Sequence, residues 1–292
     1  MGTRTAARGR TGSLWSASLR RLAQRRSVIL GYHGVAVAPA REDLFRLLVH
    51  PEEFTRQLEL LLDAGFQFLT VAELAERLDG ERPPAGLAAV SFDDGMRDNY
   101  TTALPILRPL GIRATVYVVS DLIGGQSQWI TGRRAGELMN EDEIRALVAE
   151  GWEIGSHTVT HADLTQLDYA GCRREIEVSR DALERITGQP IRTLAYPFGR
   201  YGPDAIAAAR DAGLSAALTT GSGSWAPLEL TRAMISAHDP MPVVMLKLAD
   251  RYEPLVRSPV ARAIRRTSKE VRYAMSRRAR GDDASPSRSP AG

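Results

Sequence analysis

The 292-residue chain is long enough to bury a sizeable core, and its composition, 43% hydrophobic and 25% charged, excludes a chain disordered through its middle. The net charge of +3 comes largely from arginine clusters within Arg4–Arg26 and Arg257–Arg280, which leaves the centre close to balanced. A lone cysteine, Cys172, excludes an intrachain disulfide and a thiolate metal cluster, and no run approaches the ~20 apolar residues that span a bilayer.

Residues 1–26 read as a basic, flexible lead, because "SLWSASL" is too short and too polar for a secretory apolar region. From 27 onward β-rich runs alternate with helical patterns. Strands are expected at 27–32, 66–70, 87–92, 114–120, 152–156, 193–197, 214–220 and 230–236. Between them, 51–65 opens on Pro51 and two acidic residues, carries Phe54, Leu58, Leu61 and Leu62 at helical spacing, and closes on Gly65. The stretches 70–80, 140–151 and 168–188 follow the same grammar, each ending in glycine. This alternation implies an α/β fold with parallel pairing through right-handed crossovers. The strand count suits a (β/α) barrel better than a short open sheet, with a doubly wound sheet as the alternative. In either, functional groups belong at the carboxyl ends of strands. The barrel domain is expected over 27–250. Residues 251–292 form a basic tail in which Val260, Ile264, Val271 and Met275 mark one face of a solvated helix that fades into the disordered "GDDASPSRSPAG".

Two stretches carry chemistry. In "SFDDG", Asp93 and Asp94 sit side by side at the end of a strand. Like charges there cost free energy unless a cation is near or the side chains diverge, which Gly95 permits by letting the backbone turn. An Asp-Gly turn is the plainer reading of that stretch taken alone. In "SHTVTHADL", His157 and His161 follow the strand 152–156 at a spacing of four, which puts them on one face of a helical turn. With one aspartate they compose a two-histidine, one-carboxylate site with open positions, suited to Zn²⁺, with Co²⁺ or Ni²⁺ as alternatives.

In this order, "SFDDG", "SHTVTH" and "LAYPFG" resemble the signature blocks of the polysaccharide deacetylases, carbohydrate esterase family four, over about Val28–His238. The resemblance is nearest the branch acting on poly-N-acetylglucosamine, xylan and chitin. It implies a distorted (β/α) barrel of seven or eight parallel strands, Asp93 as general base, and Asp94, His157 and His161 as metal ligands. It also implies Pro197 and Phe198 at the substrate, with the Phe198 N–H as an oxyanion donor. The general acid is His33, in "ILGYHGV", or His238, in "MISAHD"; His33 is preferred because the second stretch does not reproduce the family's late histidine block. Where many members carry an arginine before the third block's proline, this chain has Ala195. Arg232, in "ELTRAMI", is the replacement expected to orient Asp93. Asn99 reads as a capping or loop-ordering residue, and Tyr100 is given no role. Trp129 and Trp225, expected in loops at strand carboxyl ends, are candidates to stack on a sugar.

The expected activity is metal-dependent hydrolysis of N-acetyl groups on amino sugars of a glycan or glycoconjugate. The alternatives are an O-acetyl esterase, since the same activated water cleaves either bond, and a non-catalytic carbohydrate-binding module. The expected partner is an acetylated glycan and not a nucleic acid. The expected location is cytoplasmic, with the basic ends touching an anionic inner membrane surface.

Overall fold

A computed structural model describes residues 12–39, 42–43, 45–80, 83–127, 136–221 and 224–257. The chain divides into two units, 1–250 and 251–292. In chain order the first unit contains α1 (Gly12–Ala23), β1 (Val28–Tyr32), β2 (Gly34–Val35), β3 (Leu48–Val49), α2 (Pro51–Asp63), β4 (Gln67–Leu69), α3 (Val71–Ala75), β5 (Leu87–Phe92) and α4 (Leu104–Leu107). It continues with β6 (Thr115–Val118), α5 (Glu141–Ala149), β7 (Glu153–Ser156), α6 (Tyr169–Thr187), β8 (Thr193–Ala195), α7 (Pro203–Asp211), β9 (Ala216–Thr220), β10 (Leu230–Met234) and α8 (Met241–Leu248). The second unit is described over a single helix, α9 (Tyr252–Arg257). The amphipathic pattern from Val260 to Met275 and Trp129 lie outside the described residues.

All barrel pairings are parallel. The ring runs β1–β10–β9–β8–β7–β6–β5 and closes through β1 and β5, in register from Val28 opposite Ala88 to Tyr32 opposite Phe92. Closure excludes the doubly wound sheet. On the other edge of β5, β4 pairs with the lower half (Gln67 opposite Leu87) and β6 with the upper (Ser91 opposite Thr115). Among the described residues this sheet has eight strands, of which seven form the ring, distorted at β5.

Helix limits follow local chemistry. The Asn140 side chain accepts from Glu143 N while the Glu143 carboxylate accepts from Asn140 N, a reciprocal cap that starts α5. Asp168 caps α6, and Gly188, at φ +65°, ends it in the left-handed conformation. The lead 1–26 is not flexible throughout. Residues 12–23 form α1, whose Leu19 and Ala23 are buried in the same cluster as Phe54 and Leu58 of α2, because apolar residues three to four apart give a short basic helix a face to bury.

Period-two alternation sorts the strands. Val28, Leu30, Tyr32, Val90, Phe92, Val116, Val118 and Ile154 face the helices, where Tyr32, Phe54, Phe92 and Trp152 pack ring to ring. Ile29, Ala89, Tyr117, Ala195 and Leu218 face inward. Extending the inward rows toward the carboxyl ends carries His33, Ser91, Asp93 and His157 to one mouth of the barrel.

Candidate metal and catalytic centre

The site forms where β1, β5, β7, β8 and β10 end. Asp93 extends β5 by donating its N–H to Tyr32 O, and the chain then turns through two left-handed residues, Asp94 at φ +70° and Gly95 at φ +71°. The turn separates the two carboxylates. Asp93 stays with the inward row of β5, while Asp94 swings toward the loop after β7.

His157 and His161 do not share a helical face. Residues 157–161 are irregular, with Thr158 at φ +68° and His161 at φ +62°. Two left-handed turns bring the rings to 4.8 Å between centroids, and local hydrogen bonds sustain the strain. Ser156 Oγ accepts from Thr158 N, and Thr158 Oγ1 accepts from His161 N. From α6, the Glu175 carboxylate accepts from Val159 N, Thr160 N and Thr160 Oγ1. Spacing predicted the convergence of the two histidines but not its route, and no pattern pointed to Glu175, which lies fourteen residues beyond His161.

Asp94, His157 and His161 offer ligand atoms that all lie within 4.8 Å of one another. The ring atom Nδ1 of His157 is 2.7 Å from Ala195 O, an acceptor only, so Nδ1 carries the proton and Nε2 presents its lone pair to the cluster. Nε2 of His157 is 3.5 Å from Asp94 Oδ1, and Nε2 of His161 is 3.6 Å from it. Ligands about 2.0–2.1 Å from a tetrahedral ion are about 3.3 Å apart, so this donor set fits a borderline divalent cation. Burial, reinforced by neighbouring His157, holds the His161 imidazole at about 3, well below its ordinary 6.5, so it is neutral as a ligand must be.

Asp93 is held from across the ring. Arg232 of β10 donates Nη1 to Oδ1 at 2.7 Å and Nη2 to Oδ2 at 2.6 Å, with a further bond from Nη1 to Ser91 Oγ at 3.1 Å. Arg232 is 2% exposed, and its guanidinium lies over the Tyr117 ring, 5.7 Å from its centroid. Gly31 makes room for it: a Cβ there would meet Met234 Sδ at 2.3 Å and Arg232 Cδ at 3.1 Å. Burial alone would raise the Asp93 pKa. The guanidinium of Arg232, by its charge and its two hydrogen bonds, leads the pulls that outweigh burial and hold the carboxyl at about 2.

Of the two acid candidates, the structure brings His33 to the centre, with Nε2 4.0 Å from Asp93 Oδ2 and the side chain 22% exposed. His238 is exposed, four residues past the end of β10. Pro197 is buried at the rim. Phe198, left-handed at φ +59° and 59% exposed, sets its ring edge-on to His161 at 4.7 Å. Asn99 orders the loop after β1 by donating Nδ2 to His33 O. Trp225 is not at this mouth. Having reached the top of β9, the chain must return to start the parallel β10, and Trp225 packs in that return against the cluster of Ile29, Leu87 and Leu230 at the amino ends of the strands.

The family model described as polysaccharide deacetylase matches residues 80–217. A putative polysaccharide deacetylase of Bacillus subtilis, YxkH, is 28% identical over 197 residues, 67% of this chain and 65% of that protein, so the chain spans just under two thirds of that relative's length. The poly-β-1,6-N-acetyl-D-glucosamine N-deacetylase of Staphylococcus epidermidis is 24% identical over 212 residues, 66% of this chain and 72% of that protein. Among solved structures, the Streptococcus pyogenes deacetylase PplD in complex with acetate superposes with a TM-score of 0.66 at 28% identity, covering 76% of this chain and 98% of that one. The matched segment carries both aspartates, both cluster histidines and the Pro197–Gly199 turn, and it is over this segment that the chain matches the polysaccharide deacetylase family.

Proposed function

We propose that the chain is a metal-dependent hydrolase that removes acetyl groups from N-acetylated amino sugars of a glycan or glycoconjugate. The observation that carries this reading is the pairing of an ionised, arginine-held Asp93 with an adjacent Asp94–His157–His161 cluster at the open mouth of a barrel. Asp94, His157 and His161 would hold the ion, with Zn²⁺ the best match to two imidazoles and one carboxylate. When bound, such an ion lowers the pKa of a coordinated water and polarises an acyl carbonyl.

The chain's own residues supply the proton transfers. Asp93, kept ionised by Arg232, accepts the proton of the attacking water. His33, whose Nε2 is 4.0 Å from Asp93 Oδ2, donates to the departing amine nitrogen, without which an amide cannot expel its leaving group. Phe198 offers its N–H to the developing oxyanion and its exposed ring to the sugar face. Preference for N-acetyl over O-acetyl groups is supported by the N-deacetylase relative.

The test is acetate release from chitin oligomers by zinc-loaded protein, with sugar O-acetates in parallel. Release from the oligomers, lost in Asp93→Asn while bound zinc is retained, is the expected result; release undiminished in that variant overturns the base assignment. A cytoplasmic site of action, with the basic ends against an anionic membrane, is likewise a proposal. It rests on the arginine clusters alone, and flotation with anionic liposomes of full-length and tail-deleted protein tests it. Among the described residues no helix is long and apolar enough to cross a membrane.

A further inference from the structure

The loop after β1 presents His33 at the mouth, and loops of this kind are mobile unless their backbone is held. Here it is held at three consecutive points. The peptide between His33 and Gly34 is gripped at both ends: Asn99 Nδ2 donates to His33 O at 2.9 Å, and Gly34 N donates to Leu47 O at 3.2 Å. The next N–H, of Val35, donates to Asp98 Oδ1 at 3.0 Å. The same carboxylate oxygen accepts from Asn99 Nδ2 at 3.1 Å, so both partners of that nitrogen are acceptors and the amide orientation is dictated.

Asn99 is fully buried and begins a π-helical turn, Asn99–Ala103, in which Leu104 N donates to Asn99 O. The wider turn re-aims its first side chain toward β1, a use often found at functional sites. Two residues before it, Arg97 is tied to Glu143 at 2.7 Å and Glu137 at 2.9 Å. From the other side the fit is tight, since a Cβ on Gly34 would lie 2.6 Å from Asp98 Oδ2 and from Leu48 Cδ2.

We infer that Asn99 and Asp98 are positioning residues for the acid step: together they clamp the His33–Val35 backbone so that the imidazole stands beside Asp93 where the leaving nitrogen departs. The inference rests on the proposed deacetylase reading and on His33 as its acid. Displacing a catalytic group by about 1 Å costs on the order of 10²-fold in rate, so loss of the clamp should be felt in kcat, although neither residue touches the substrate.

The test compares two substrates on zinc-loaded protein. Chitin oligomers release an amine that must be protonated; 4-nitrophenyl acetate releases a phenolate that needs no acid. Asn99→Ala is expected to lower kcat on the oligomers by about 10²-fold, with KM and bound zinc unchanged, and to lower aryl acetate turnover by less than about threefold. His33→Ala should show the same split. Gly34→Ala, acting from the His33 side, should reproduce it and carries the test if Asn99→Ala does not fold. Equal losses on both substrates, or loss of zinc, would mean a merely structural role and overturn the inference. A split in His33→Ala but in neither clamp variant also overturns it and leaves the deacetylase reading standing. No split in His33→Ala removes the acid assignment and the clamp with it, and no oligomer hydrolysis by the wild type removes the functional reading itself.

Discussion

Arg232 and Asp93, 139 residues apart in sequence, meet through two parallel hydrogen bonds of 2.7 and 2.6 Å inside the barrel. A bidentate pair of this kind fixes both the charge and the plane of the carboxylate, which a lysine's single ammonium cannot do. Arg232→Lys is therefore expected to fold and to lose about 10²-fold or more in kcat. Arg232→Ala should cost about 3–5 kcal/mol in chemical denaturation, because it strands a buried carboxylate. The double variant with Asp93→Asn should recover part of that loss, and strictly additive losses would contradict the pairing.

The cluster of Asp94, His157 and His161 predicts about one zinc per chain by elemental analysis, with His161→Ala and His157→Ala each abolishing it at micromolar metal. Chelation should lower the Tm of the wild type, since the ion binds only the folded chain, and should leave the Tm of either variant unchanged. A wild-type Tm indifferent to chelator would count against the site.

Glu175 takes three hydrogen bonds from the loop between the two histidines without lying among the ligands. Glu175→Gln weakens the charge-assisted bonds from Val159 and Thr160, and should reduce zinc affinity about 10–100-fold in a competition titration, as outer supports of metal ligands do. Unchanged affinity would show that the left-handed loop holds itself.

Burial pushes the Asp98 carboxyl up from 3.8 to about 7, against the Val35 N–H and the Asn99 amide, which pull it down. The folded chain then binds more protons than the unfolded chain between those values. The contribution of this group is fully present below pH 3.8 and is lost as pH rises toward 7. Asp98→Asn keeps an oxygen for the Val35 N–H and should flatten that part of the curve, so denaturation midpoints of variant and wild type should diverge in the variant's favour as pH rises from 4 to 7. Parallel curves would show Asp98 ionised throughout.

Trp225, at the amino ends of the strands, is predicted to matter for stability alone. Trp225→Ala removes part of the packing against Ile29 and Leu230, and should cost about 1–3 kcal/mol while leaving KM for chitin oligomers unchanged. A raised KM at unchanged stability would return it to the substrate.

Local patterns in the chain are enough to place the eight strands of the barrel sheet, the helices α2, α3, α5 and α6 and the chemistry-bearing blocks, because strand alternation and helix caps act over two to four residues. Ser91 and Asp93 share the inward face of β5 by period two, and Asn140 with Glu143 announces α5 through its own reciprocal cap. Arg232 was legible as a residue able to replace the arginine absent at Ala195; its grip on Asp93 exists only once β1, β5 and β10 are joined by ring closure. His33 and His238 look alike as loop histidines, and the inward row of β1 together with the clamp from Asn99 distinguishes them. A spacing of four does not reveal the route by which His157 and His161 converge, because it is as well served by two left-handed turns braced from α6 as by a helix. Which residue types stand at which strand ends is thus written in the local order of the chain. Which of them face one another follows from ring closure, since that depends on contacts between segments far apart along the chain, whose geometry no local spacing encodes.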